Sequence, residues 1–237
     1  MDSKFQLIAH RGASSLCPEN TRSALLKALS IGADCIEIDV RLSKDGTWVV
    51  VHDGDLKKIS GSRQKIEALN LRDLKQFDFG LWFDREFEGE KILTLEEACE
   101  IVLPNSSLIL DIKTNGNSEF LASRLRETLS EEKRRKIILS SFSLSLLKAC
   151  RKIMPDLRLG FLLDDHPGLK TWTACRESFY SVHPRRSTFT PELVQRAHAS
   201  GLKVFVWTIN HLQDMKEVLR EGSDGFFTDF PQRAKGL

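Results

Sequence analysis

The 237-residue sequence lacks a dominant sign of charge. Its 35 Lys and Arg nearly cancel 33 Asp and Glu, for a net +2, so the bulk charge gives no reason to expect nucleic acid as a partner. Any anion site has to be local. Paired cysteine spacing is also missing. Cys17, Cys35, Cys99, Cys150 and Cys175 are odd in number and form no CxxC, which argues against a disulfide framework and against a zinc knuckle. They read as reduced, mostly structural thiols. No apolar run approaches the ~20 residues a membrane span requires, and charged residues begin at Asp2 and Lys4. The expectation is a cytoplasmic protein with no stable membrane insertion.

What is present is rhythm. Short apolar runs recur at 7–9, 35–40, 48–51, 108–112, 137–139, 158–162, 179–182, 203–207 and 225–227, and read as strands. Longer segments with helical periodicity separate most of them, as with Leu212, Met215, Val218 and Leu219 in a segment beginning at Asn210. That alternation predicts an α/β fold with a parallel sheet. Helix boundaries agree with it. Thr94 and Glu97 have capping-box spacing, Asn210 and Gln213 have the same spacing, Thr190 precedes Pro191, and Gly32, Gly201 and Gly222 suit helix ends. A hydrophobic content of 41% is enough for one large core, so residues 1–237 are expected to form a single (β/α)8 barrel domain. Nine runs compete for eight barrel positions, and the gap between the second and third is too short for a helix, so one run must be irregular or peripheral. Residues 54–91 break the rhythm with a long charged stretch containing Phe77, Phe79, Trp82, Phe83 and Phe87. They are expected to form a small inserted cap over one barrel end.

In such a barrel, catalytic side chains gather at the C-terminal ends of the strands. His10 and Arg11 follow the first run, Glu37 and Asp39 come late in the second, His52 and Asp53 end the third, and Asp111 and Lys113 end the fourth. Glu37 and Asp39 are two residues apart and share one strand face, while Ile36, Ile38 and Val40 share the other. A buried pair of like charges is costly alone, and two readings are open: ion pairing with Arg11 or Lys113, or a hard divalent cation such as Mg²⁺ or Ca²⁺. His10 and His52 are expected to open onto one barrel mouth, where two imidazoles suffice as acid and base for phosphodiester cleavage. Arg11 and Lys113 supply fixed positive charge there, for plain ion pairing, for phosphate, or for both.

Taken in order, His10-Arg11-Gly12-Ala13, Pro18-Glu19-Asn20-Thr21, Ile36-Glu37-Ile38-Asp39-Val40, Lys44-Asp45-Gly46 and His52-Asp53 resemble the signature of the glycerophosphodiester phosphodiesterase family. Agreement continues through Leu95-Glu96-Glu97, Ser141-Phe142, Val206-Trp207-Thr208-Ile209-Asn210 and Asp224-Gly225 to Thr228-Asp229. The resemblance implies a TIM barrel like that of phosphatidylinositol phospholipase C with an inserted cap, divalent-metal dependence, and hydrolysis of glycerophosphodiesters to sn-glycerol 3-phosphate and an alcohol. It implies His10 and His52 as the acid–base pair, Glu37 and Asp39 as metal ligands, and Arg11 and Lys113 as phosphate contacts. It also implies that Trp207 lines the glycerol pocket, where a packed core indole is the alternative reading.

Two departures stand out. Asp111-Ile112-Lys113 replaces the Glu-Ile-Lys usual in that family, which leaves a third metal ligand one methylene shorter. Residues 56–61 replace a Thr-rich turn, so substrate contacts from that loop do not carry over. Ser140 and Ser141 end another strand without an identifiable acidic partner and are expected to serve as hydrogen-bonding residues, and the basic run 133–136 is expected to form a solvated helix end. Two alternatives to the small-diester hydrolase are an enzyme acting on lysophospholipids, with the 77–87 aromatics meeting the lipid tail, and a phosphodiester-binding protein without turnover.

Overall fold

Eight of the apolar runs pair side by side, all parallel, until the last meets the first. The strands in chain order are β1 (Gln6–His10), β2 (Cys35–Leu42), β3 (Trp48–Val50), β4 (Leu93–Thr94), β5 (Ser107–Ile112), β6 (Ile137–Ser141), β7 (Arg158–Leu163), β8 (Ser181–Pro184), β9 (Lys203–Val206) and β10 (Gly225–Thr228). The ring runs β1-β2-β5-β6-β7-β8-β9-β10 and closes through β10 onto β1, which makes a (β/α)8 barrel. This computed structural model describes residues 5–165, 172 and 178–237.

Closure follows from alternation along each strand. Ile8, Cys35, Ile109, Ile138, Phe205 and Phe227 point inward and fill the barrel. Their neighbours Ile36, Ile38, Leu108, Leu110, Leu139 and Val204 point outward into the larger core beneath the helices. Burying a side chain of this size is worth about 1.5–3 kcal/mol, so the two layers together carry the fold. Helix caps set where each helix stops and the next strand starts. Thr94 and Glu97 form the reciprocal capping box at the helix Leu95–Val102. Thr190 accepts from Leu193 N with Pro191 in the first turn, and Gly32 ends the helix Arg22–Ile31 in a left-handed conformation. No helix among the described residues is long and apolar enough to cross a membrane.

The peripheral run is the third. β3 is not a barrel strand. It turns back antiparallel on β2, with Val40 opposite Val50, and β4 extends this small ladder. Two residues in β4 are too few to show a period in sequence. Between β3 and β4, Phe79 joins Val49, Val51, Leu56, Ile66, Leu74 and Ile92 in a second, separate apolar cluster. Phe77 packs on its edge, whereas Trp82, Phe83 and Phe87 meet edge to face and stay half-exposed.

Three local expectations change. Asn210 does not cap its helix. His211 is the N-cap of Leu212–Arg220, and the Asn210 amide is drawn to Asp229 instead. Leu212 is 43% exposed, so the buried face of that helix is Met215 and Val218. Residues 133–136 are not uniformly solvated, because Arg134 is buried, bonded to Asp156 and to the Leu129 carbonyl, while Lys136 reaches the Leu103 carbonyl.

Candidate active site

The turn after β1 shows how a short sequence builds a site. Arg11 and Gly12 both have positive φ, 57° and 81°. A Cβ on Gly12 would lie 2.7 Å from the Ala24 backbone, so only glycine lets this turn pack onto the first helix. The turn leaves Arg11 N–H donating to Glu37 Oε2 at 3.0 Å, and Asn20 N–H closes it on the Arg11 carbonyl at 3.0 Å. The Asn20 side chain then holds Asp39 at 2.9 Å.

β2 supplies the carboxylates. Glu37 and Asp39 point inward and are joined by Asp111 of the neighbouring β5, with which Asp39 is in register. One ligand atom from each of the three lies within 4.8 Å of the others, and all three residues are buried. Burial, then the Asp39 charge, pushes the Glu37 carboxyl up to about 8. Burial also raises Asp111 against the pull of Lys113. Asp39 is buried too, but the Arg11 and Lys113 charges outweigh that and hold it below the ordinary carboxylate range. The ion-pair reading of the cations is therefore realised: Arg11 Nε lies 3.1 Å from Asp39, and Lys113 Nζ lies 2.6 Å from Asp111 and 3.3 Å from Asp39.

Those two cations do not satisfy the cluster. Oδ1 of Asp111 is buried without a hydrogen-bond donor, and Oδ1 of Asp39, also buried, has Lys113 Nζ 3.3 Å away but accepts no hydrogen bond. Three carboxylates with free oxygen lone pairs, in a site built without cysteine, fit a hard divalent cation better than zinc. Asp111 reaches the cluster despite its shorter side chain.

The histidines arrive by different routes. His10 ends β1, whereas His52 is carried by the chain leaving β3, not by a barrel strand end. The hairpin projects past the barrel and returns, and Val51 N–H bonds to the Asp39 carbonyl, which brings His52 down to the mouth. His10 Nδ1 pairs with Asp229 Oδ1 at 2.6 Å and His52 Nδ1 with Asp53 Oδ1 at 2.9 Å. Asp229 is partly buried, but its bond with His10 lowers its pKa to about 2, so Asp229 is ionised and Nδ1 is the donor. Burial disfavours charge on His10, yet the Asp229 bond and the Glu37 charge outweigh it and raise its pKa.

His10, Arg11, Glu37, His52, Asp111 and Lys113 all line one cavity of about 330 Å³ at the C-terminal mouth. Its far wall carries Phe142, Leu162 and Trp207. Trp207 packs against the inner barrel cluster and also faces the cavity. It is half-buried, donates from Nε1 to the His183 carbonyl at 2.7 Å and meets Phe142 edge to face. Ser140, also on this cavity, bonds to His183, whose other ring nitrogen bonds to Ser181. Burial holds the His183 pKa down to about 3, and with no carboxylate beside it among the described residues this Ser–His pair is a neutral support and not a nucleophilic triad.

Two contributors escaped the sequence reading. Asp229 orients His10 and is itself held by Asn210 and Ser14. Its signal was the Thr228-Asp229 motif at a strand end, but contact with His10 across the closing seam of the barrel is not visible in one dimension. Arg41 continues the inward alternation of Glu37 and Asp39. Its guanidinium donates to the carbonyls of His52 and Lys113, tying the hairpin to β5.

Barrel and mouth together define a TIM barrel that gathers two imidazoles, two cations and three carboxylates at its C-terminal end. The Glycerophosphoryl diester phosphodiesterase family model matches residues 10–233, and the chain belongs to that family. It is 36% identical to a glycerophosphodiester phosphodiesterase of Caldanaerobacter subterraneus subsp. tengcongensis, over 97% of this chain and 96% of that one. Human lysophospholipase D is a more distant relative, 26% identical over 96% of this chain and 84% of its own. Among solved structures, an Oleispira antarctica phosphodiesterase in complex with the product sn-glycerol 3-phosphate superposes with a TM-score of 0.88, at 31% identity over 96% of this chain and 94% of that one.

Proposed function

We propose that the protein is a divalent-metal-dependent glycerophosphodiester phosphodiesterase that hydrolyses small glycerophosphodiesters to sn-glycerol 3-phosphate and an alcohol. The observation that carries this reading is the convergence of two carboxylate-held imidazoles, two cations and the Glu37–Asp39–Asp111 cluster on one cavity. The product-bound Oleispira structure supports the substrate class.

Arg11 and Lys113 hold the phosphoryl oxygens and favour the charge that develops on them. One of His10 and His52 takes the proton of the attacking oxygen, and the other gives a proton to the departing alcohol oxygen as the P–O bond breaks. Asp229 takes up Nδ1 of His10 and Asp53 takes up Nδ1 of His52, so in each ring Nε2 is the nitrogen left to exchange the proton. Glu37, Asp39 and Asp111 would hold Mg²⁺ or Ca²⁺, which supplies Lewis-acid polarisation of a phosphoryl oxygen. Trp207 presents an apolar wall to the glycerol carbons.

Residues 1–237 are read as one catalytic domain with 54–91 as its cap, a reading supported by the separate apolar cluster there. The free, buried thiols of Cys17, Cys35, Cys99 and Cys150 support a cytoplasmic setting. Cys175 lies outside the described residues. The small-diester reading is favoured over the lysophospholipid one because Phe77 and Phe79 are spent on the cap's own core.

Glycerophosphocholine, glycerophosphoglycerol and lysophosphatidylcholine, followed by ³¹P NMR with the products identified, test the assignment. The expected result is sn-glycerol 3-phosphate from the small diesters, with lysophosphatidylcholine turned over more slowly. Release of an alcohol phosphate and free glycerol, or a clear preference for the lysolipid, contradicts it.

A further inference from the structure

We infer that the pocket selects diesters whose alcohol is an uncharged polyol and discriminates against quaternary ammonium alcohols, an inference that rests on the phosphodiesterase reading above. Recognition of a quaternary ammonium needs an open aromatic face, and an uncompensated carboxylate strengthens it. Among the described residues, each solvent-exposed ring of the wall has a cation near it, and the carboxylates at its two exits, Asp164, Glu19 and Asp53, each have a basic partner, which for Asp53 is His52.

On the β6–β9 side of the mouth, the Arg185 guanidinium lies 5.4 Å from the Trp207 ring centroid, and Lys113 Nζ lies 5.9 Å from that of Phe142. The carboxylate on that wall, Asp164, is paired with Arg185 at 3.7 Å. On the cap side, a small cleft that shares His52 with the main cavity carries Glu19, Lys58 and Trp82. Lys58 Nζ sits 3.8 Å from the Trp82 centroid and 2.9 Å from Glu19, whose other oxygen is 3.1 Å from Arg11. The pattern is the same at both exits. Trp207, Phe142 and Trp82 each have a cation over the ring, the lining rings of Phe79 and Phe227 are buried, and Asp164 and Glu19 each have a cation beside them.

With the glycerol carbons against Trp207 the alcohol leaves on the cap side, past Lys58, Trp82 and Glu19, and a diester bound in the opposite sense meets the same arrangement at Arg185 and Asp164. A trimethylammonium group would meet a like charge over the ring it needs. A polyol meets the opposite situation, since Arg185 or Lys58 can donate to its hydroxyls while Asp164 or Glu19 accepts from them. Arg185 and Asp164 are each 57% exposed, so screening limits the discrimination to roughly tenfold at low salt.

The test is kcat/KM on glycerophosphoglycerol, glycerophosphoinositol and glycerophosphocholine, for the parent and for Arg185→Glu and Lys58→Glu. The ratio of rates is internal to each preparation, so a loss of folded protein does not move it. The parent is expected to favour both polyol diesters by roughly tenfold. At least one variant should shift the ratio toward the choline diester by a similar factor, and the shifted position marks the exit used. Equal or better turnover of the choline diester by the parent overturns the inference, as does a parental ratio in both variants. No turnover of any of the three diesters overturns the phosphodiesterase reading on which it rests.

Discussion

His10→Ala and His52→Ala each lose about 10²- to 10⁴-fold in kcat on an unactivated glycerophosphodiester, with thermal stability close to the parent's. Both side chains line the open cavity, so truncation leaves no void in the packed core. The double variant should be little worse than the poorer single one, because two groups that act in one displacement are not additive. A diester with a highly activated leaving group needs no protonation, and it should rescue whichever variant lacks the acid. Asp229→Asn keeps the imidazole and its space but weakens its hold on Nδ1–H. Its loss should be smaller than that of His10→Ala and fall on kcat more than on KM. Near-parental rates for both alanine variants would remove the proposed pair.

Chelation should abolish activity, and Mg²⁺ or Ca²⁺ should restore it without a unique requirement for zinc. The expectation comes from Oδ1 of Asp39 and Oδ1 of Asp111, which are buried and accept no hydrogen bond, and from a Glu37 carboxyl that burial pushes up to about 8. Fully ionised, the three carboxylates would carry one negative charge more than Arg11 and Lys113 neutralise, and a divalent cation is what would hold the buried Glu37 in that ionised form. Asp39→Asn should weaken ion binding in titration calorimetry by at least tenfold while the folded barrel survives, since Asn retains the bond volume and an oxygen acceptor. Full activity of a sample shown by elemental analysis to be metal-free contradicts the ion's role.

How much of this was legible in the sequence depends on whether the information is local. Barrel strands carry their own period, so eight positions and the inward pairing of Glu37 with Asp39 could be read directly. The capping box at Thr94 and Glu97 closes within one turn and was legible for the same reason. His52 was assigned to a strand end because Trp48 to Val51 looks like any other apolar run. Only the antiparallel pairing of Val40 with Val50 shows that it is a hairpin arm. Asn210 was misread because its spacing to Gln213 satisfies a local rule, whereas a nonlocal partner, Asp229, takes the side chain. Arg134 failed similarly. Its place in a basic run suggests solvent, but bonds to Asp156 and the Leu129 carbonyl make burial tolerable. The candidate site residues are read from motifs, whereas the contacts of the residues that hold them, Asp229 and Arg41, carry no such signal because they act across strands that are distant in sequence.

The most direct test of the central claim is a crystal structure of the protein with sn-glycerol 3-phosphate and Mg²⁺ or Ca²⁺. The phosphate is expected to contact Arg11 and Lys113 within reach of His10 and His52, with the glycerol carbons against Trp207 and the ion on Glu37, Asp39 and Asp111. Product bound instead in the groove at the opposite barrel end, which is lined by Phe5, His198 and Lys203, or an ion held away from the three carboxylates, would contradict the account.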